Sequence, residues 1–238
     1  MKAPIQGLWV GSALSMMEQL SLASFLRHGH DYHLYVYEDV ADIPEGVDVR
    51  DGNDILPASM IFRYKHRKSY AGFSNYFRYK LLLENGGWWV DTDVVCIKPF
   101  TFDTACVFAS EGFKGRVLVS SGIIKVPPGS PVMTYAWQTC RSKNPQDLTW
   151  GEIGPRLMDE AVRKFALDLF IRPPNVFSPI PFKAWGAVLD PTRIWAFDET
   201  TCAIHLWNEM WRQDGQDKNR PYHPDCLYEQ LKRRYLYR

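Results

Sequence analysis

The sequence predicts an α/β protein with a Rossmann-like mixed sheet flanked by helices, and three observations predict it. The chain opens strand–helix–strand. An apolar run at 5–10 is followed by helical periodicity over 12–26, with Leu14, Met17, Leu20, Leu22 and Phe25 inward, and by a second apolar run at 32–37. An opening of that length implies a right-handed βαβ unit with parallel strands. A second helix at 71–84 is stopped by Asn85-Gly86-Gly87 and leads into a short apolar strand at 88–90. Long irregular stretches lie beside strand ends, where the binding loops of open α/β sheets are found.

The remaining elements follow in order. His28-Gly29-His30 closes the first helix, with Gly29 as its C-cap candidate. Residues 40–69 are mixed and broken by Pro44 and Pro57. Strands are expected at 94–97, 105–109 and 118–126, and helices at 131–141 and 153–165. The proline-rich 172–182 is loop or edge strand, 202–207 a short apolar strand and 225–235 a terminal helix. No repeat or low-complexity tract is present, and 238 residues are most simply one domain.

Composition narrows the function. A net charge of +1 without a long basic stripe argues against a dedicated nucleic-acid binder. The five cysteines, Cys96, Cys106, Cys140, Cys202 and Cys226, are widely spaced without a CxxC or zinc pattern. Free thiols in a reducing compartment are expected. No positively charged segment precedes an apolar one at the N-terminus, and no apolar run is long enough to cross a bilayer, so a cytoplasmic protein is expected. All histidines except His205 are expected at the surface.

The chemistry concentrates at Asp91-Thr92-Asp93, between Trp88-Trp89-Val90 and Val94-Val95. Two carboxylates one residue apart at the end of a buried strand are costly to desolvate without a positive partner. A divalent metal carrying a diphosphate is such a partner, and hard oxygen ligands suit magnesium or manganese. A solvated turn is the plainer alternative.

Three stretches, GLWVGSALSMMEQLSLASFLRHGH, FSNYFRYKLLLENGGWWVDTDV and AIHLWN, resemble the DXD-containing sugar transferases of glycosyltransferase family 32 and their relatives. These include capsule-type transferases, α1,4-galactosyl- and α1,4-N-acetylglucosaminyltransferases and, distantly, the glucosylating bacterial toxins. The resemblance implies a GT-A fold, a UDP-sugar donor, Mn2+ or Mg2+, and retention of anomeric configuration. It implies a nucleotide-sugar-binding half at 1–100 and an acceptor-side half at 101–238, with a saccharide or lipid-linked glycan as acceptor.

Carried over by position, Asp91 resembles the acid that meets donor and metal, and Asp93 the direct metal ligand. His205 resembles a further ligand, although a lone histidine in an apolar strand is also a common structural residue. Asn75 and Arg78 share a helix face at i and i+3. There the family uses an acid and an arginine to hold donor sugar and phosphate, so Asn75 departs from the pattern. Trp9 matches the tryptophan that stacks on the base, with a core role as its alternative. Gly11 and Ser12 form the turn whose N–H groups face the nucleotide. Glu152 and Glu111 are the acids near the predicted active-site loops, with Glu152 the candidate for catalysis beside Asp91 and Arg78.

Two other classes stay open. The string WWVDTDVV also satisfies the haloacid-dehalogenase phosphatase pattern, with Asp91 as nucleophile and Asp93 as general acid. A non-catalytic nucleotide-sugar-binding module is the other. The C-terminal Lys232, Arg233, Arg234 and Arg238, with Tyr235, Leu236 and Tyr237, suggest weak peripheral contact with an anionic membrane; complementing the helix dipole is their plainer role.

Overall fold

The computed structural model describes residues 3–65, 67–113 and 115–237, with the backbone alone at Phe113. Its elements are β1 (Ile5–Leu8), α1 (Met16–Arg27), β2 (Tyr32–Val36), β3 (Asp48–Asp51), α2 (Ala71–Asn85), β4 (Gly87–Val90), β5 (Val94–Cys96), β6 (Val107–Phe113), β7 (Arg116–Val126), α3 (Pro131–Arg141), α4 (Leu157–Lys164), α5 (Pro174–Phe177), β8 (Ala203–His205), α6 (Asn208–Gln213) and α7 (Leu227–Tyr235). Six strands form one sheet in the order β3-β2-β1-β4-β7-β6. The pairs β1–β2, β2–β3 and β1–β4 are parallel. β7 pairs antiparallel with β4 and β6, so the sheet is mixed. β5 and β8 form a separate antiparallel pair.

Local chemistry explains the boundaries. Ser15 caps α1 in a reciprocal box with Glu18, which satisfies two backbone donors at the helix start. Gly86 (φ 62°) and Gly87 (φ 84°) turn the chain from α2 into β4, in a region that side chains with a Cβ rarely adopt. A Cβ on Gly86 would also lie 2.5 Å from the Pro128 nitrogen.

The alternation of β4 divides the core. Trp88 packs with Ile5, Leu34 and Phe177 on the face that carries α1 and α5. Trp89 packs with Phe77, Ile124 and Met133 on the face that carries α2, α3 and α4. A third cluster, built on Trp211, Tyr228 and Trp185 with Val95 and Ile204, holds the C-terminal helices against β5 and β8.

Several expectations are corrected. β3 lies in the stretch read only as mixed; all four of its residues are exposed, so it carries no apolar alternation. The helix expected at 153–165 is a wide turn over Glu152–Arg156, interrupted at Gly154 just before Pro155, followed by the shorter α4. The 172–182 stretch begins at the sheet edge, where Arg172 N–H donates to the Phe108 carbonyl at 2.8 Å, and then coils into α5. His30 is buried rather than superficial and accepts a hydrogen bond from Phe100 N–H.

The membrane-facing reading of α7 loses two of its residues. Lys232 is 2% exposed and paired with Glu229, and Tyr235 is buried against His28. Arg238 lies outside the described residues. Among the described residues no helix is long and apolar enough to cross a membrane. All five cysteines are free.

Glu18 has no exposed surface and is paired with Lys218, which ties α1 to the loop before α7. Removing one partner leaves a buried charge uncompensated, a loss of about 3 kcal/mol. Lys218→Ala should therefore lower the unfolding free energy by that margin, read as a fall in the denaturant midpoint at an unchanged slope. An unchanged midpoint would show that solvent already neutralises Glu18.

Candidate active site

β4 ends at Val90, and Asp91-Thr92-Asp93 form the tight turn into β5. The turn is pinned on both sides: Asp91 N–H donates to the Gly122 carbonyl at 2.8 Å, and Val94 N–H donates to the Asp91 carbonyl at 3.2 Å. The Val94–His205 register of β5 and β8 brings His205 beside this turn.

Asp93 is held from the C-terminal side. Its Oδ1 lies 3.2 Å from His205 Nε2, and its Oδ2 accepts from Asn208 N–H at 2.8 Å, at the first residue of α6. Leu206 N–H donates to the Asp93 carbonyl at 2.9 Å. The imidazole stacks on Trp207, with ring centroids 3.8 Å apart and 22° between planes. Trp207 has a left-handed backbone (φ 61°), and its indole N–H donates to the Ile180 carbonyl.

Asp91 is held from the other side. Its Oδ1 accepts from Arg78 Nη2 and from Trp89 Nε1, each at 2.9 Å. Arg78 is 4% exposed, and its other bonds go to the Ser74 carbonyl, Ser74 Oγ and the Ser121 carbonyl. Its guanidinium also lies 4.8 Å from the Trp89 ring centre. The fork that sequence reading offered to phosphate is thus largely engaged in orienting Asp91.

The electrostatics of the two acids differ. Burial raises the Asp91 pKa, against the pull of Arg78. Burial pushes Asp93 upward as well, but His205 and the Asn208 N–H outweigh it and hold the carboxyl below its ordinary value. For His205 burial acts downward, and Asp93, Asp91 and Glu111 overcome it to raise the pKa.

The trio suits a cation. One ligand atom each from Asp91, Asp93 and His205 lies within 4.8 Å of the others. Two carboxylate oxygens and an imidazole nitrogen are a donor set for manganese or magnesium. Gly122 leaves the space open: a Cβ there would come within 3.0 Å of Asp91 Oδ2 and 3.3 Å of His205 Cε1.

Beside the trio, α2, β7 and the 152–156 turn converge on Asn75. Its Nδ2 donates to the Ala71 carbonyl at 2.9 Å, while its Oδ1 is buried with no hydrogen-bond partner among the described residues. A Cβ on Gly154 would come within 3.2 Å of the Asn75 amide nitrogen and 3.5 Å of Ser121 Oγ. Trp9 lies just past β1, half-buried, with its indole N–H bound to the Ala13 carbonyl at 3.1 Å. Gly11, at φ 148°, forms the adjoining turn. Glu152 is turned elsewhere: its carboxylate accepts from Thr149 N–H and Oγ1 and pairs with Lys143 at 3.0 Å.

Sequence reading missed Trp89, Gly122, Trp207 and Tyr32. Trp89 had a signal, since two residues before Asp91 on a strand is the same face. Tyr32 is fully buried, its hydroxyl has no hydrogen-bond partner among the described residues, and its pKa is raised by burial and by Asp91 and Asp93.

Two family models match the chain in tandem. A glycosyltransferase sugar-binding region containing a DXD motif matches residues 16–110, and an alpha 1,4-glycosyltransferase conserved region matches 128–235. A human alpha-1,4-N-acetylglucosaminyltransferase is 24% identical over 157 residues, covering 58% of this chain. The match takes in 43% of that protein, so the chain spans less than half the length of this curated relative. The solved PaToxG glycosyltransferase superposes with a TM-score of 0.53 at 12% identity, over 99% of this chain and 86% of that one, which is a likeness of fold.

Sheet and neighbour together define a GT-A fold. The two matches, a DXD-containing sugar-binding region followed by an α1,4-glycosyltransferase region, both come from glycosyltransferases. Both matches speak for the transferase reading over the phosphatase alternative.

A metal and a proton compete for His205. Its pKa is raised above the ordinary 6.5, so affinity for Mn2+ should fall as pH drops through that raised value, earlier than for an unperturbed histidine. Calorimetry in buffers of different ionisation enthalpy reads the released proton: about one per Mn2+ below the raised pKa, approaching none above it. His205→Gln should abolish the proton release; its persistence would remove His205 from the ligand set.

Proposed function

We propose that the protein is a metal-dependent retaining glycosyltransferase that moves a sugar from a UDP-sugar to a saccharide or glycoconjugate acceptor. One observation carries this reading: Asp91, Asp93 and His205 converge on a single point in a DXD-containing chain. A divalent cation held there supplies positive charge opposite the diphosphate as it leaves.

The chain's own residues have separate tasks in this reading. Arg78 and Trp89 fix the Asp91 carboxylate through one oxygen, which leaves the other for the ligand. Asp93 is presented by His205 and the α6 backbone. Trp9 offers an indole face to the base, and the Gly11 turn lets the backbone approach. Asn75 accepts a hydrogen bond from a donor-sugar hydroxyl through its unpartnered oxygen. Retention follows from the family resemblance, with a diphosphate oxygen taking the acceptor proton on the face from which it departs.

Asp93→Ala removes a ligand, and Mn2+-dependent donor turnover should fall by about three orders of magnitude or more. Turnover at the unaltered rate would refute the assignment.

Asn75→Asp should reorder the ranking of donor sugars while UDP affinity changes by no more than about twofold. A site built to bond one hydroxyl rejects donors that leave it unpaired. Competition binding with a panel of UDP-sugars measures this. Altered stability with an unaltered ranking would make Asn75 structural.

A further inference from the structure

We infer that Glu111 is an acceptor-binding residue, taking a hydrogen bond from a saccharide hydroxyl beyond the donor sugar. This rests on the transferase reading above and adds a residue to its site.

The sheet order sets the site out in a row. Trp9 follows β1, the acidic turn follows β4, Gly122 lies on the neighbouring β7, and Glu111 on β6 at the sheet edge. A donor with its base at Trp9 and its diphosphate at the acidic turn directs its sugar towards β7. What lies further along meets β6.

Register places the residue. Glu111 pairs with Leu118 on β7, just beyond a register shift between Phe108 and Ser110 in which residues 120–123 of β7 stand opposite Ala109 alone. Gly122, whose Cβ would meet Asp91 and His205, lies in that shift. Ser110, beside Glu111, has its Oγ bound to the Arg172 carbonyl at 2.6 Å. Glu111 stands outside the ligand group of the metal trio, and its charge is felt at His205.

Chemistry narrows the ligand. The Glu111 carboxyl is partly buried, and among the described residues it has no hydrogen bond and no ion-pair partner. The other acids of the site are compensated: Asp91 by Arg78 and Asp93 by His205. Burial raises the Glu111 pKa, a sign that water alone serves it poorly. An ionised carboxylate accepts hydrogen bonds and repels phosphate oxygens. A neutral ligand rich in hydroxyls is what such a group binds.

The test uses Glu111→Ala and Glu111→Gln in the full chain, with three readouts: calorimetric binding of UDP with Mn2+, hydrolysis of UDP-sugar without acceptor, and transfer to a panel of methyl glycosides. Binding and hydrolysis should stay within about twofold, while Glu111→Ala raises the acceptor KM by about tenfold, the loss of one charged hydrogen bond. Glu111→Gln, which keeps an acceptor oxygen, should recover part of that loss. An unchanged acceptor KM overturns the inference, as does a parallel fall in acceptor-free hydrolysis, which would place Glu111 on the donor. If the unaltered chain does not bind UDP with Mn2+, the transferase reading fails, and this inference with it.

Discussion

The structure depends on holding two carboxylates, one residue apart, partly buried at the end of β4. Neither could be buried there alone. Asp91 is compensated backwards in the chain, by Arg78 on α2 and Trp89 on β4. Asp93 is compensated forwards, by His205 at the end of β8 and the first N–H of α6. The turn between them is therefore the point where the helical layer on one face of the sheet and the C-terminal cluster are fastened together. The two acids titrate in opposite directions: at Asp91 burial and the Asp93 charge outweigh Arg78, while at Asp93 the imidazole and the Asn208 N–H outweigh burial.

Layered support around a small polar centre recurs through the site. Trp207 backs His205, Trp89 and Arg78 back Asp91, and Ser74 and Ser121 back Arg78. Such layering fixes side-chain direction without adding ligand atoms, which binding geometry demands of a metal site. Glycines at 122 and 154 do the complementary task of leaving volume where a side chain would intrude.

What the sequence disclosed follows from periodicity and its failures. The alternation of Trp88 and Trp89 and the apolar faces of α1 and α2 carry a strong pattern, so the βαβ opening and the strand before the acids were legible. The acidic pair and its histidine were legible as residue types. β3, with the sequence DVRD, has no such pattern, because an exposed edge strand is held by its backbone bonds to β2 rather than by burial. The partners of Arg78 were hidden for another reason: Ser74 is a helix neighbour, but Ser121 arrives through sheet topology. Glu152 was misjudged by proximity in sequence to a glycine-rich turn, when its carboxylate serves Thr149 and Lys143 at the outer side of that turn. Gly122 gives no signal at all until the strands are paired.

The forward compensation of Asp93 also has an order in time. Asp93 and Asn208 are separated by 115 positions. A chain emerging from the ribosome presents its acidic turn, and the strands that bury it, long before β8 and α6 exist. Domains assemble as their segments become available, and contacts of high sequence separation form late. Until β8 and α6 pack against the turn, Asp93 lacks its counter-group, so completion of the site waits on segments far downstream in the chain.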